Sequence, residues 1–319
     1  MPPTSPRENP FLTRLRPPNT IPPRRFVTAS RLAGGTAPPT TSTFFNHSEL
    51  VETASPTERH ERGTETPISF TGSSGIVTTG IFAQPASPTN RAVILCHGFP
   101  SDKNSRTNRR LTELLIPKSM ATLRFDWDGM GDSPEPLAHF SIKKCEEQLD
   151  AAVRVLTERS MNALGLIGSS FGGFMAILSA PRYPQLRALG LKCPVVDFPE
   201  VLRLKFGAEG MERWKRTDHI PDILGGDQPI PLPYSFFEEC LTYNGYLSAS
   251  RIQAPTLIVY GDQDDIIPAH QIDRLLASLN VPKHVQLIPG ANHQFGRPED
   301  FRLMTTHLAK WMIAHLPLS

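Results

Sequence analysis

The strongest constraint on this chain is a regular alternation that starts at Pro67 and runs to the end. Short apolar runs are followed by segments with helical spacing, over and over. Ile68-Ser-Phe-Thr and Ile76-Val-Thr-Thr-Gly-Ile-Phe each alternate apolar and polar residues, which predicts an opening hairpin around Gly72 to Gly75. Arg91-Ala-Val-Ile-Leu-Cys is a continuous apolar run, the pattern of a strand buried on both faces. Further strands are expected at 121–126, 163–168, 188–194, 255–260 and 285–288. Helices are expected at 109–120, 171–179, 269–279 and 300–316. Ile142, Cys145, Leu149, Ala152, Val153 and Leu156 recur at helical spacing and predict a helix over about 141–159. Such alternation implies an α/β architecture: a mostly parallel sheet with helices on both faces. The stretch 199–250 interrupts it between two strands. It carries Trp214, Tyr234, Phe236, Phe237, Tyr243 and Tyr246, and reads as a small inserted cap. Those aromatics either line an apolar pocket or pack the cap onto the body.

Residues 1–66 are different material. They contain 11 of the 32 prolines and no Lys or Asp, and Arg7, Arg14, Arg16, Arg24, Arg25 and Arg31 face only Glu8 before Glu49. Paired prolines forbid helix, and so little apolar surface does not offset the entropy of ordering. Three readings stand: a disordered Pro/Arg-rich tail, an organelle-targeting segment, or a start placed too far upstream. The body is expected over 67–319.

Composition removes other classes. The net charge of +2 gives no reason to expect a nucleic-acid partner. No apolar run reaches the roughly 18–20 residues a spanning helix needs. Cys96, Cys145, Cys193 and Cys240 form no CxxC pair, and scattered cysteines suit a reducing compartment, so the expected location is the cytoplasm, with organelle targeting through 1–66 as the alternative. No G-x-x-x-x-G-K-[ST] phosphate loop occurs.

The chemistry is expected where strands end. In Gly168-Ser169-Ser170-Phe171-Gly172-Gly173, only Ser170 has glycine two residues before and two after. A serine on a sharp strand-to-helix turn is crowded, so those neighbours must be small. The turn lifts the hydroxyl above the sheet and puts the N–H of Phe171 at a helix N-terminus, where an oxyanion is favoured. A serine hydroxyl needs a base to take its proton. His293, in Gly290-Ala-Asn-His-Gln-Phe, follows the last expected strand at its carboxyl edge, where open α/β sheets place ligands. The carboxylate that orients such a base is expected after the strand at 255–260. Asp264 is the choice there, with Asp262 its main rival and Asp265 nearer the next helix. Gly98, in Cys96-His-Gly-Phe, lets backbone approach, so the N–H of Phe99 is the second expected oxyanion donor. His97 is read as a structural hydrogen-bonding group, and Arg124 and Asp126 as a pair bracing the loop before Gly129. His97 and His293 lack a third ligand motif nearby, which gives a metal site little support.

Taken together, His97-Gly98, the elbow at Ser170, the G-D-x-D-x-x-I-P stretch carrying Asp264 and the late His293 resemble the α/β-hydrolase superfamily over about 67–319. His97-Gly-Phe-Pro-Ser-Asp-Lys-Asn and the segment from Arg124 to Ser133 look like its serine aminopeptidase S33-type group, which includes cinnamoyl and feruloyl esterases. The resemblance implies a cofactor-free serine hydrolase with a lid, acting on a small-molecule ester. An aminopeptidase or amidase on the same triad, and a non-catalytic ligand-binding protein, are the rival classes. Two departures bear on substrate. Trp127-Asp128-Gly129 has an acid where the family often has Arg, and Ser169 stands where the elbow often has His.

Overall fold

The computed structural model describes residues 63–221 and 228–318. The tail assigned to 1–66 thus lies outside the described residues up to 62. At its end it gives way to strand: β1 covers Thr64–Thr71, three residues ahead of the expected body.

β1 pairs antiparallel with β2 (Val77–Gln84) through the expected turn, which Gly75 closes at φ 84°. Then come β3 (Arg91–Cys96), α1 (Arg106–Leu115), β4 (Ala121–Phe125), α2 (Ile142–Glu158), β5 (Ala163–Ser169), α3 (Phe171–Ser179) and β6 (Leu186–Lys192). The inserted segment follows, with α4 (Phe198–Thr217), the short pair β7 (His219–Ile220) and β8 (Ile230–Pro231), α5 (Tyr234–Cys240) and α6 (Gly245–Ala249). The chain returns as β9 (Thr256–Gln263), α7 (Ala269–Ser278), β10 (Lys283–Asn292) and α8 (Pro298–His315). Eight strands make one sheet in the order β1-β2-β4-β3-β5-β6-β9-β10. Among the described residues, the pairings within this sheet are parallel except β1–β2 and β2–β4, and β7–β8 forms a separate antiparallel pair.

The two faces of the sheet are legible in β3, every residue of which is buried. Ala92, Ile94 and Cys96 join the apolar cluster that takes in α2, α3, α7 and the inserted segment. Val93 and Leu95 join the opposite cluster, built with α1 and α8 through Leu111, Leu115, Met304, Leu308 and Met312. Successive strand side chains point to opposite faces, so one apolar run serves both layers.

Element ends follow local chemistry. α1 starts at Arg106 rather than 109 because the Ser105 side chain accepts from the N–H of Asn108. It ends at Leu115, and Pro117, which has no N–H to continue the helix, sits in a 3-10 turn. β6 lies two residues earlier than expected and stops at Lys192, ahead of Pro194. α2 is capped twice. The Ser141 side chain accepts from Lys144, and the Glu239 carboxylate, from the inserted segment, accepts from the N–H groups of Ile142 and Lys143 at 2.9 Å each.

The expected Arg124–Asp126 pair does not form. Arg124 makes a two-pronged contact with Glu65 on β1, at 2.9 and 2.7 Å. Asp126 instead accepts from the backbone and ammonium of Lys103, from Thr79 and from the N–H of Asp132. Each charge took a partner from a segment distant in sequence.

The cap aromatics mostly pack on one another. Trp214 is fully buried, donates to the carbonyl of Leu232 at 2.6 Å, and meets Phe206, Tyr234 and Phe237 edge-on. Phe236 reaches the body instead, against Phe140 and Phe198, whose rings meet Phe171.

Candidate active site

β4, β3 and β5 lie side by side, so the sheet changes direction of winding at β3, and the carboxyl ends of β3 and β5 are where open α/β sheets place their ligands. Ser170 is the residue between β5 and α3. Its backbone is at φ 52°, ψ −113°, a left-handed conformation that a serine seldom adopts and that costs roughly 1–3 kcal/mol. The packing around it holds that strain. A Cβ on Gly168 would sit 2.3 Å from the carbonyl oxygen of Gly172, and one on Gly172 would sit 2.4 Å from that of Cys96. Only glycine allows α3 to start so close to β3 and β5. The Ser170 N–H donates to the carbonyl of Lys192 (2.9 Å), and its carbonyl accepts from Val195 (3.2 Å), which ties the turn to the end of β6.

His293 reaches the same point from beyond β10. Its Nε2 is 3.1 Å from Ser170 Oγ, and its Nδ1 lies 3.0 and 2.9 Å from the two oxygens of Asp264. One oxygen of Asp264 also accepts from the N–H groups of Ile266 and Ile267, both at 2.9 Å. Burial pushes the Asp264 carboxyl up, but the hydrogen bond and charge of His293, the N–H of Ile267 and the thiol of Cys193 outweigh it, and its pKa lies below the ordinary carboxylate value. The side chains of His293 and Asp264 are each only 6% exposed. The rival Asp262 points elsewhere. It accepts from the N–H of Gly290 at 2.6 Å and braces the turn at which β10 breaks register.

The β3 end lies against this group. A Cβ on Gly98 would come 3.3 Å from Cβ of Ser170, so the Gly98–Phe99 backbone passes directly beside the turn at Ser170. Phe171 is the first residue of α3, where N–H groups have no partner within the helix. The ring of Phe99 packs on that of Phe171, 6.2 Å between centres. His97 is buried and turned away. Its Nε2 accepts from the N–H of Trp127 (3.2 Å), which leaves Nδ1–H to donate to the carbonyl of Gly98 (2.8 Å). Burial holds its pKa below the ordinary histidine value, in keeping with a neutral ring that fixes the loop.

Two residues here were not singled out from the sequence. Lys192, at the end of β6, is 6% exposed and donates from Nζ to the carbonyl of His293 at 2.7 Å. Cys193, wholly buried at φ 40°, places its thiol beside Asp264. Burial pushes that thiol well above its ordinary pKa, so it is a neutral donor to the carboxylate. Cys193, Asp264 and His293 hold donor atoms within 4.8 Å of one another, as metal ligands would. Each is already engaged in this hydrogen-bonded set, and the neighbouring Lys192 cation opposes a second one.

Of the two departures from the family pattern, only the first has structural partners of its own among the described residues. Asp128 is buried, pairs with Lys144 at 3.0 Å, and its N–H donates to Gln148. The Ser169 hydroxyl is buried without a hydrogen-bond partner among the described residues.

The Alpha/beta hydrolase family model matches residues 93–302, from β3 to the first turn of α8. The chain belongs to this family. Among its relatives, the monoacylglycerol lipase of Mycolicibacterium smegmatis is 22% identical over 284 residues, 79% of this chain and 99% of that protein. The mitochondrial palmitoyl-protein thioesterase ABHD10 of Rattus norvegicus is 23% identical over 187 residues, 57% of this chain and 61% of that one. In fold, this hydrolase is similar to Est1E from Butyrivibrio proteoclasticus in its ferulic acid complex. The TM-score is 0.67 at 22% identity, covering 77% of this chain and 98% of that chain. Among the described residues, no helix is long and apolar enough to cross a membrane.

Proposed function

We propose that this protein is a serine hydrolase that cleaves carboxylic esters through an acyl-enzyme on Ser170. The observation that carries the reading is the continuous chain from Ser170 Oγ to His293 Nε2 and from His293 Nδ1 to Asp264, at 3.1 and 2.9 Å. That is the arrangement in which a base takes the hydroxyl proton while a carboxylate fixes its tautomer and steadies the imidazolium. Ser170 attacks the acyl carbonyl, and His293 then gives the proton to the leaving alcohol. Water, activated by the same imidazole, frees the acid. The N–H groups of Phe99 and Phe171 receive the oxyanion, each worth roughly 3 kcal/mol in the transition state. No step calls for a cofactor.

Cleavage of peptides at a free amino terminus is less well supported. Of the cap acids that would bind the ammonium, Glu239 is committed to the start of α2, and Glu200 to His270 and Gln271. Thioesters are a second substrate class, favoured by the likeness to the rat thioesterase. The four cysteines are free and buried, which supports a reducing compartment such as the cytoplasm. A chain-length series of p-nitrophenyl esters and matching thioesters, run beside p-nitroanilides, tests the reading. Ester turnover should exceed anilide turnover and vanish in Ser170→Ala. Anilide preference would move the assignment to an amidase.

A further inference from the structure

Lys192 occupies an unusual place for a lysine. Its strand runs Leu186-Arg-Ala-Leu-Gly-Leu-Lys, its last five residues are all buried, and its register sets Lys192 beside Ser169 of the elbow. Its backbone carbonyl accepts from the N–H of Ser170 at 2.9 Å, while its ammonium donates to the carbonyl of His293 at 2.7 Å. One residue therefore holds the nucleophile through its backbone and the base through its side chain. The ammonium also faces the ring of Phe295, 5.3 Å from its centre, and lies close enough to Asp264 to feel its charge. Taking an ammonium out of water is costly, and burial draws its pKa down from the ordinary lysine value. An apolar side chain would fill the same space without that cost. The cost is matched by what the charge holds. His293 is the first residue beyond β10, whose pairing with β9 breaks register after Ile288, passes Gly290 at φ 74° and resumes at Asn292 against Gln263, so His293 itself lies outside the ladder.

We propose that Lys192 is a positioning residue for the general base, whose ammonium, donated to the carbonyl of His293, holds the imidazole within reach of Ser170. The inference rests on the serine-hydrolase reading above. It does not make Lys192 a proton carrier. Its nitrogen is engaged with a carbonyl behind the ring, so its effect passes through His293.

The test compares wild type with Lys192→Met, Lys192→Gln and Lys192→Arg on p-nitrophenyl butyrate. Each protein is followed by circular dichroism, by the rate of fluorophosphonate labelling, and by the downfield proton NMR signal of the His293–Asp264 hydrogen bond. Met and Gln remove the charge. The expected result is a kcat at least tenfold lower, about 1.4 kcal/mol in the transition state. KM should stay within twofold, labelling should slow in parallel, and the downfield signal should broaden. Arg, which keeps a cationic donor, should recover most of kcat. A residue that only stabilises the fold would lower the melting temperature and leave kcat and the NMR signal of the folded protein unchanged. A folded Met or Gln variant with kcat within twofold of wild type overturns the inference. So does loss of the fold in both, which would assign Lys192 to stability alone. Failure of the underlying reading shows separately, as wild-type protein that neither turns over the ester nor takes the label.

Discussion

Replacing Gly172 by alanine probes the packing that creates the elbow. Gly172 lies in the first turn of α3, and a Cβ there would stand 2.4 Å from the carbonyl oxygen of Cys96 and 2.5 Å from that of His97. Ordinary contact begins near 3.4 Å, so α3 and the end of β3 must separate by about 1 Å. Both clashing atoms are backbone in or next to a fully buried central strand, so no side chain can swing aside. Overpacking of this kind costs about 1–3 kcal/mol, and the rigid partners place it at the upper end. Alanine returns about 1 kcal/mol through its better helix propensity. The net loss of about 2 kcal/mol corresponds to a fall of roughly 4–8 °C in Tm for a body of this size. Activity should fall further than stability. The same shift moves Ser170 and the N–H of Phe171 away from the Gly98–Phe99 loop, and 1 Å of misplacement in a reacting group costs about 100-fold. Thermal melts by circular dichroism and p-nitrophenyl butyrate kinetics read the two effects. Gly72→Ala is the control, since a Cβ there meets nothing closer than 3.5 Å. Its Tm should stay close to wild type. A Gly172→Ala protein with wild-type Tm and turnover would refute the claim that glycine is required for the approach of α3 to β3.

Other outcomes follow from the same contacts. Asp264→Asn should lower kcat by about 10⁴ with the fold retained, because an amide can hold the wrong His293 tautomer; steady-state kinetics on aryl esters decide it. The Asp264 carboxyl titrates below its ordinary value in the folded protein. It therefore adds stability that is fully present above the unfolded value of about 3.9 and is lost as pH falls through the lower folded value. In urea melts at a series of pH values, the acid loss of stability should be shallower in Asp264→Asn than in wild type. Glu239→Ala removes the acceptor of two N–H groups at the start of α2 and should cost about 1 kcal/mol, as lost helix caps do, while Glu239→Gln, which keeps an acceptor, should cost less; denaturant midpoints separate them.

Much of the candidate site was legible because each of its parts ends a strand. Ser170 has a spacing that only a crowded turn explains, and His293 and Asp264 follow the apolar runs of β10 and β9. Periodicity found the strands and helices for the same reason: buried faces dictate residue type at fixed intervals. What stayed hidden depended on partners far apart in the chain. Lys192 closes an apolar run, where a lysine reads as a solvated end, and its partner is a backbone carbonyl 101 residues away that has no sequence signature. Asp126 looked like a mate for nearby Arg124, yet Lys103 and Glu65 claimed the two charges. Glu65 falls within the stretch that reads as tail, because strand β1 opens with the exposed residues Thr64 to Pro67, which carry no apolar alternation. Cys193 gave no signal either, since a buried cysteine in a strand end reads as core.

The central claim is that the Ser170 hydroxyl is the reactive nucleophile. Mass spectrometry of the protein after reaction with a fluorophosphonate tests it most directly. The account predicts one covalent adduct, mapped to the peptide carrying Ser170, and none in Ser170→Ala, which also loses ester turnover. An adduct on another residue, or ester cleavage that survives in Ser170→Ala, would contradict it.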